Sequence, residues 1–126
     1  MKSYTDVEQS KMLAEILPLD SADMHYHYDF DFDELESIPT ITEEDDHFIL
    51  FPDDVRCWSL AALLNVIPKH IKDHNVLRID INENDFAIWY DEIGYGVNRE
   101  LPDLEMKEPI DACVEMIIKL HEQKLL

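Results

Sequence analysis

Between Lys11 and Arg56 the chain has no Lys or Arg, yet the same interval holds fourteen Asp and Glu, from Glu15 to Asp54. Uncompensated charge on this scale repels itself, and the repulsion opposes a compact state. Whatever fold the chain takes has to carry these carboxylates as an acidic surface. The remainder does not restore the balance: 29 Asp plus Glu stand against 10 Lys plus Arg, a formal charge of -19. Nucleic acid and anionic lipid both need a positive surface, so no direct binding to nucleic acid or to a membrane is expected. Hydrophobic residues still make up 46% of the chain and aromatics 10%, too apolar for a disordered acidic tail. A length of 126 residues fits a single domain, 1–126, with its own core. Two glycines leave no material for a phosphate-cradling loop, which excludes a Walker A or dinucleotide fingerprint.

Along the chain, Thr5-Asp6-Val7-Glu8 is a capping box, and Met12, Leu13, Ile16 and Leu17 recur at helical spacing before Pro18. A helix over about 6–17 is predicted. From His25 to Asp33 the run HYHYDFDFD alternates with period two, which predicts one extended strand. Tyr26, Tyr28, Phe30 and Phe32 would share one face, and His25, His27, Asp29, Asp31 and Asp33 the other. The acidic run Glu43, Glu44, Asp45, Asp46 separates it from a second strand at 47–51, HFILF. Asp53 and Asp54 favour a helix start, with Ser59 as the alternative cap. WSLAALLNVI, 58–67, is apolar almost all round and reads as a largely buried helix ended by Pro68.

Leu77, Ile79 and Ile81, then Phe86, Ile88 and Tyr90, alternate on either side of NEND, a hairpin pattern. Gly94 and Gly96 mark a bend, and 97–108 reads as polar connection. Pro109 suits the first turn of a last helix, in which Ile110, Cys113, Val114, Ile117 and Leu120 form the apolar stripe. The order α-β-β-α-β-β-α predicts an α+β fold, a small antiparallel or mixed sheet with about three helices packed on it. Its expected core is Leu13, Ile16, Leu17, Tyr28, Phe30, Trp58, Leu60, Leu64, Ile67, Ile79, Ile88, Val114, Ile117 and Leu120.

Cys57 and Cys113 are too few for a disulfide scaffold and neither lies in a CxxC, so two buried thiols in a reducing cytoplasm are expected. The N-terminus lacks the apolar core of a signal peptide, and the apolar stretch around 57–67 falls short of the roughly 20 residues that span a bilayer. A cytoplasmic location follows as the expectation.

The segments CWSLAALL (57–64), PIDACVEMIIKL (109–120) and the opening YTDVEQSKMLAEILPLDSADM (4–24) resemble recurring segments of a family of small acidic proteins of gut Bacteroides and of their phages and mobile elements. The resemblance covers about a third of the chain. It implies a bacterial cytoplasmic accessory protein, and it transfers no functional residue.

Four constellations could carry chemistry. On a strand, His25, His27, Asp29 and Asp31 would face one way, a donor set suited to zinc, iron or manganese. The same pattern fits a strand with one packed aromatic face and one wet polar face, and that is the preferred reading. Asp80, Asn82, Asn84 and Asp91 approach a calcium loop, but Asp85 stands where glycine is required and the flanks are strand-like, so a hairpin turn is expected. Cys57 and Cys113 read as core residues rather than nucleophiles.

The charge gap itself reads either as a solvated surface or as a docking face, since a row of carboxylates can imitate the phosphates of DNA, one charge per about 1.7 Å of axis. The reading adopted is a non-enzymatic interaction module with no cofactor. Its acidic face (Asp29, Asp31, Asp33, Glu43, Glu44, Asp45 and Asp46) would engage a basic protein, with a metal-binding, hydrolytic domain as the alternative.

Overall fold

The computed structural model describes residues 1–42 and 52–126. Its first helix, α1 (Val7–Ala14), begins one residue later than the Thr5 box predicts. Asp6 is the N-cap: its carboxylate accepts the Gln9 N–H at 2.8 Å, and the Gln9 side chain accepts the Asp6 N–H at 3.1 Å. The frames T-x-x-E and D-x-x-Q overlap, and the second wins because Thr5 is held in the interior. Thr5 Oγ1 shares a hydrogen bond with Ser10 Oγ at 2.8 Å and accepts the Trp58 N–H at 3.1 Å. The Thr5 carbonyl accepts from the Tyr26 hydroxyl at 2.8 Å. The helix also ends earlier, at Ala14; short turns then carry the chain through Leu17 to Pro18.

The strand predicted over 25–33 is not continuous. It divides into β1 (Met24–Tyr26) and β2 (Tyr28–Asp29), with a break at His27. Then follow β3 (Glu34–Leu35), β4 (Thr40–Ile41) and β5 (Val55–Cys57). A three-stranded antiparallel sheet has the order β4-β1-β5, and β2 and β3 form a separate hairpin. The predicted strand at 47–51 and the acidic run Glu43–Asp46 lie outside the described residues. No helix starts at Asp53 or Asp54, because β5 occupies the next residues. Instead α2 (Leu60–Val66) starts at the alternative cap, Ser59, whose hydroxyl accepts the Ala62 N–H at 3.2 Å.

The second sheet contains β6 (His70–Ile71), β7 (Asn75–Ile81), β8 (Phe86–Glu92), β9 (Gly96–Val97) and β10 (Leu104–Met106). Its order is β10-β8-β7-β6, with β9 pairing the far end of β8, and every pairing is antiparallel. The predicted β7–β8 hairpin forms with Ile79 opposite Ile88 and runs on to Asn75 and Glu92. The stretch read as polar connection in fact supplies β10.

The last helix, α3 (Pro109–Glu122), packs on β8, β10 and α2. It buries the whole predicted stripe together with Ala112 and Met116. Complete burial of a large apolar side chain contributes about 1.5–3 kcal/mol, so this helix holds a large share of the core. At its start the chain's first residues are clasped. Lys2 Nζ donates to Asp111 Oδ1 at 2.8 Å, Gln9 Nε2 donates to the same oxygen at 2.8 Å, and the Lys2 N–H donates to Glu108 Oε2 at 2.8 Å.

The fold is α+β, as expected, but the core differs from the predicted one. Phe30 is 61% exposed and Ile79 40% exposed, while Ile16, Tyr28, Leu60 and Leu64 are only half-buried. Leu63, absent from the expected core, is completely buried. A seven-residue helix turns one narrow face inward, and here that face is Ala62 and Leu63. Among the described residues no helix is long and apolar enough to cross a membrane.

Candidate functional site

The break at His27, whose carbonyl accepts the Glu36 N–H at 2.9 Å, coincides with a contact to the Asp54 carboxylate. This side chain is 1% exposed; Oδ1 lies 3.2 Å from His27 Nδ1 and accepts the Tyr28 N–H at 2.8 Å. A buried carboxylate needs such partners, since its desolvation is otherwise uncompensated. Drawing the Tyr28 N–H to Asp54 ends the β1 ladder at Tyr26 opposite Val55 and turns the following residues into the β2–β3 hairpin.

The hairpin builds itself from its own acids. Asp29 Oδ1 accepts the Asp31 N–H at 2.9 Å, a local turn that Asp side chains favour. Asp33 adopts φ of 53°, in the left-handed region where Asp is enriched among non-glycine residues. The Tyr28 hydroxyl donates to Asp33 Oδ1 and closes the turn. The result is a tip on which Asp31, Asp33 and Glu34 are exposed and Asp29 half-buried. Two aromatic rings share the tip. Phe30 meets the Tyr28 ring edge-on, centroids 5.0 Å apart, and Phe32 is 74% exposed. An open groove lined by Asp29, Glu34, Leu35, Glu36, Ser37 and Ile38 runs beside it.

The predicted metal ligands are not brought to one face. His25 is buried and shares a hydrogen bond with Thr42 Oγ1 through Nδ1 at 2.9 Å. Burial lowers its pKa below the ordinary histidine value, with Asp54 pulling the other way. His27 turns to Asp54, Asp29 caps its own turn, and Asp31 points to solvent. Among the described residues no three His, Cys, Asp or Glu side chains gather in a metal-holding group. Of the acidic face, Asp29, Asp31 and Asp33 stand together on the hairpin, whereas Glu43, Glu44, Asp45 and Asp46 lie outside the described residues.

The calcium-like run is the expected turn. Asn82 Oδ1 accepts the Asn84 and Asp85 N–H groups at 3.0 and 2.8 Å, and Asp91 pairs with Arg78 at 3.3 Å. Both thiols are free and buried. Burial raises the Cys57 pKa against the opposing effect of its Thr5 hydrogen bond, and burial pushes Cys113 up to about 12. Neither has the lowered pKa of a thiolate nucleophile.

Sequence reasoning missed two acids that work inside. Asp54 is one. Asp23 is the other, accepting the Ser59 N–H at 2.9 Å and the Ser59 hydroxyl, and so fixing the cap of α2. Neither differs in local sequence from the acids left in water; only the contact, 26 or 36 residues away, distinguishes them. Compared with family models, with curated proteins and with solved structures, the chain gives no match.

Proposed function

We propose that the chain is a non-enzymatic, cytoplasmic interaction module that docks a basic protein on its acidic hairpin, in keeping with the bacterial accessory role that its resemblance implies. The observation supporting this most directly is Phe32, 74% exposed on a tip that also carries Asp31, Asp33 and Glu34. A merely solvated acidic tip needs no exposed aromatic ring. Interfaces favour this combination, with aromatic anchors at the centre and polar or charged groups at the rim. The carboxylates would steer a basic partner and accelerate encounter in a salt-dependent manner. A protein whose basic surface normally meets phosphates is the partner class that suits such a row of charge.

The test is capture of basic proteins from bacterial lysate by the immobilised chain. Wild type should retain them at about 0.05 M salt and release them at about 0.5 M, where screening shortens the reach of each charge to a few ångströms. Phe32→Ser, and separately Asp31→Asn with Glu34→Gln, should lose the capture while keeping the wild-type melting temperature to within about 0.5 kcal/mol of stability, as exposed substitutions do. Capture of the same proteins by all three chains excludes the hairpin as the docking face.

A further inference from the structure

β7 pairs with β8 along all seven residues, but on its other side β6 covers only Asn75 and Val76. Among the described residues no strand lies beside residues 78–81 on that outer edge. In an antiparallel ladder, successive residues direct their backbone groups to opposite sides. The Leu77 N–H points outward, to the Lys69 carbonyl at 2.9 Å, so the N–H and C=O groups of Ile79 and Ile81 point outward as well. Their side chains are 40% and 73% exposed, on the same face as the buried Ile88 and Phe86 opposite them. An open edge with apolar side chains and no proline is a template for adding another strand.

The residues of the edge specify what fits there. Leu77-Arg78-Ile79-Asp80-Ile81 is complementary to itself when reversed. Antiparallel alignment about Ile79 sets Ile79 against Ile79 of a second copy and Arg78 against Asp80 on either side, and the pairing ends where the Lys69 carbonyl holds the Leu77 N–H. With the Ile79 backbone groups directed outward, the central pair exchanges both hydrogen bonds. The Arg78–Asp80 pairs then fall at the closer, non-hydrogen-bonded positions, where opposite charges attract across strands. Arg78 now holds only an exposed contact with Asp91, at 3.3 Å, which costs little to give up. A net charge of -19 resists self-association, but the stretch 69–81 carries Lys69, Lys72 and Arg78 against Asp73 and Asp80, so this edge itself adds no net negative charge.

We propose that the outer edge of β7 is a homodimer interface, two copies pairing antiparallel about a two-fold axis at Ile79 and joining their five-stranded sheets. The interface is isologous, each copy presenting the same strand to the other.

Sedimentation velocity from micromolar to submillimolar protein, at about 0.15 M NaCl, tests it. Wild type should pass from monomer to dimer. Arg78→Asp sets a carboxylate against Asp80 in each half of the pairing, and Asp80→Arg sets a guanidinium against Arg78, so either should weaken association about tenfold or more. The double exchange, Arg78→Asp with Asp80→Arg, restores both pairs and should return the dimer. Circular dichroism and melting temperature verify that each variant is folded. A wild-type chain that stays monomeric throughout overturns the proposal and leaves the edge to an extended segment of another protein. A dimer unaffected by either single reversal, or one the double exchange fails to restore, overturns it equally.

Discussion

Asp54 and His25 are members of the acidic third that the fold has taken inside, and each meets the cost of burial differently. Asp54 gains the His27 imidazole and the Tyr28 N–H. His25 instead stays neutral, sharing its Nδ1 hydrogen bond with Thr42. Burial holds its folded-state pKa below the ordinary 6.5, despite the opposing attraction of Asp54. As pH falls through 6.5 the unfolded chain therefore takes up a proton that the folded chain resists. The contribution to stability is complete above that value and is lost as pH falls toward the folded-state pKa. Urea denaturation between about pH 7 and pH 5 should show stability falling less steeply for His25→Gln than for wild type. Parallel profiles would mean that His25 does not resist protonation in the folded chain.

At the level of elements, α2 yields the sharpest expectation, because two adjacent leucines in it have different fates. Leu63 is completely buried and Leu64 half-buried. Leu63→Ala should destabilise by about 2–5 kcal/mol in chemical denaturation, and Leu64→Ala by clearly less. Equal losses would mean that the helix is rotated from the orientation described. The alternation in WSLAALL could not distinguish the two, since every position there is apolar, small or both. Where periodicity ran long and its boundaries were marked, it was readable. The β7–β8 hairpin has two alternating strands around NEND, and α3 has Pro109 at its start and one continuous stripe. HYHYDFDFD misled because alternation states which way side chains point in a strand, not whether a neighbouring strand exists to continue the ladder. Asp54 removed the Tyr28 N–H from that ladder, and a contact between residues 26 apart leaves no trace in local pattern. The exposed acids of the hairpin were legible for the opposite reason: charge with no cation nearby declares itself in the sequence, while the internal contacts of Asp23 and Asp54 do not.

For the molecule as a whole, the charge of -19 is a standing load on stability. At about 0.01 M salt the screening length is roughly 30 Å, enough for carboxylates across the fold to feel one another, and at about 1 M it is roughly 3 Å. Melting temperature should rise with NaCl, and choline chloride should raise it equally if screening rather than sodium binding is responsible. A rise with sodium alone would instead indicate bound cations. The clasp between the first residues and α3 adds a consequence in time rather than space. Gln9 and Asp111 are 102 residues apart, and at about 5–20 residues per second the first leaves the ribosome roughly 5–20 s before the second. An eight-residue helix is marginal alone and leans first on β5, which is made well before α3. The clasp that pins its start, however, exists only once α3 has been made. A chain interrupted before Pro109 lacks both that clasp and the buried stripe of α3, and the core left uncovered is open to proteases.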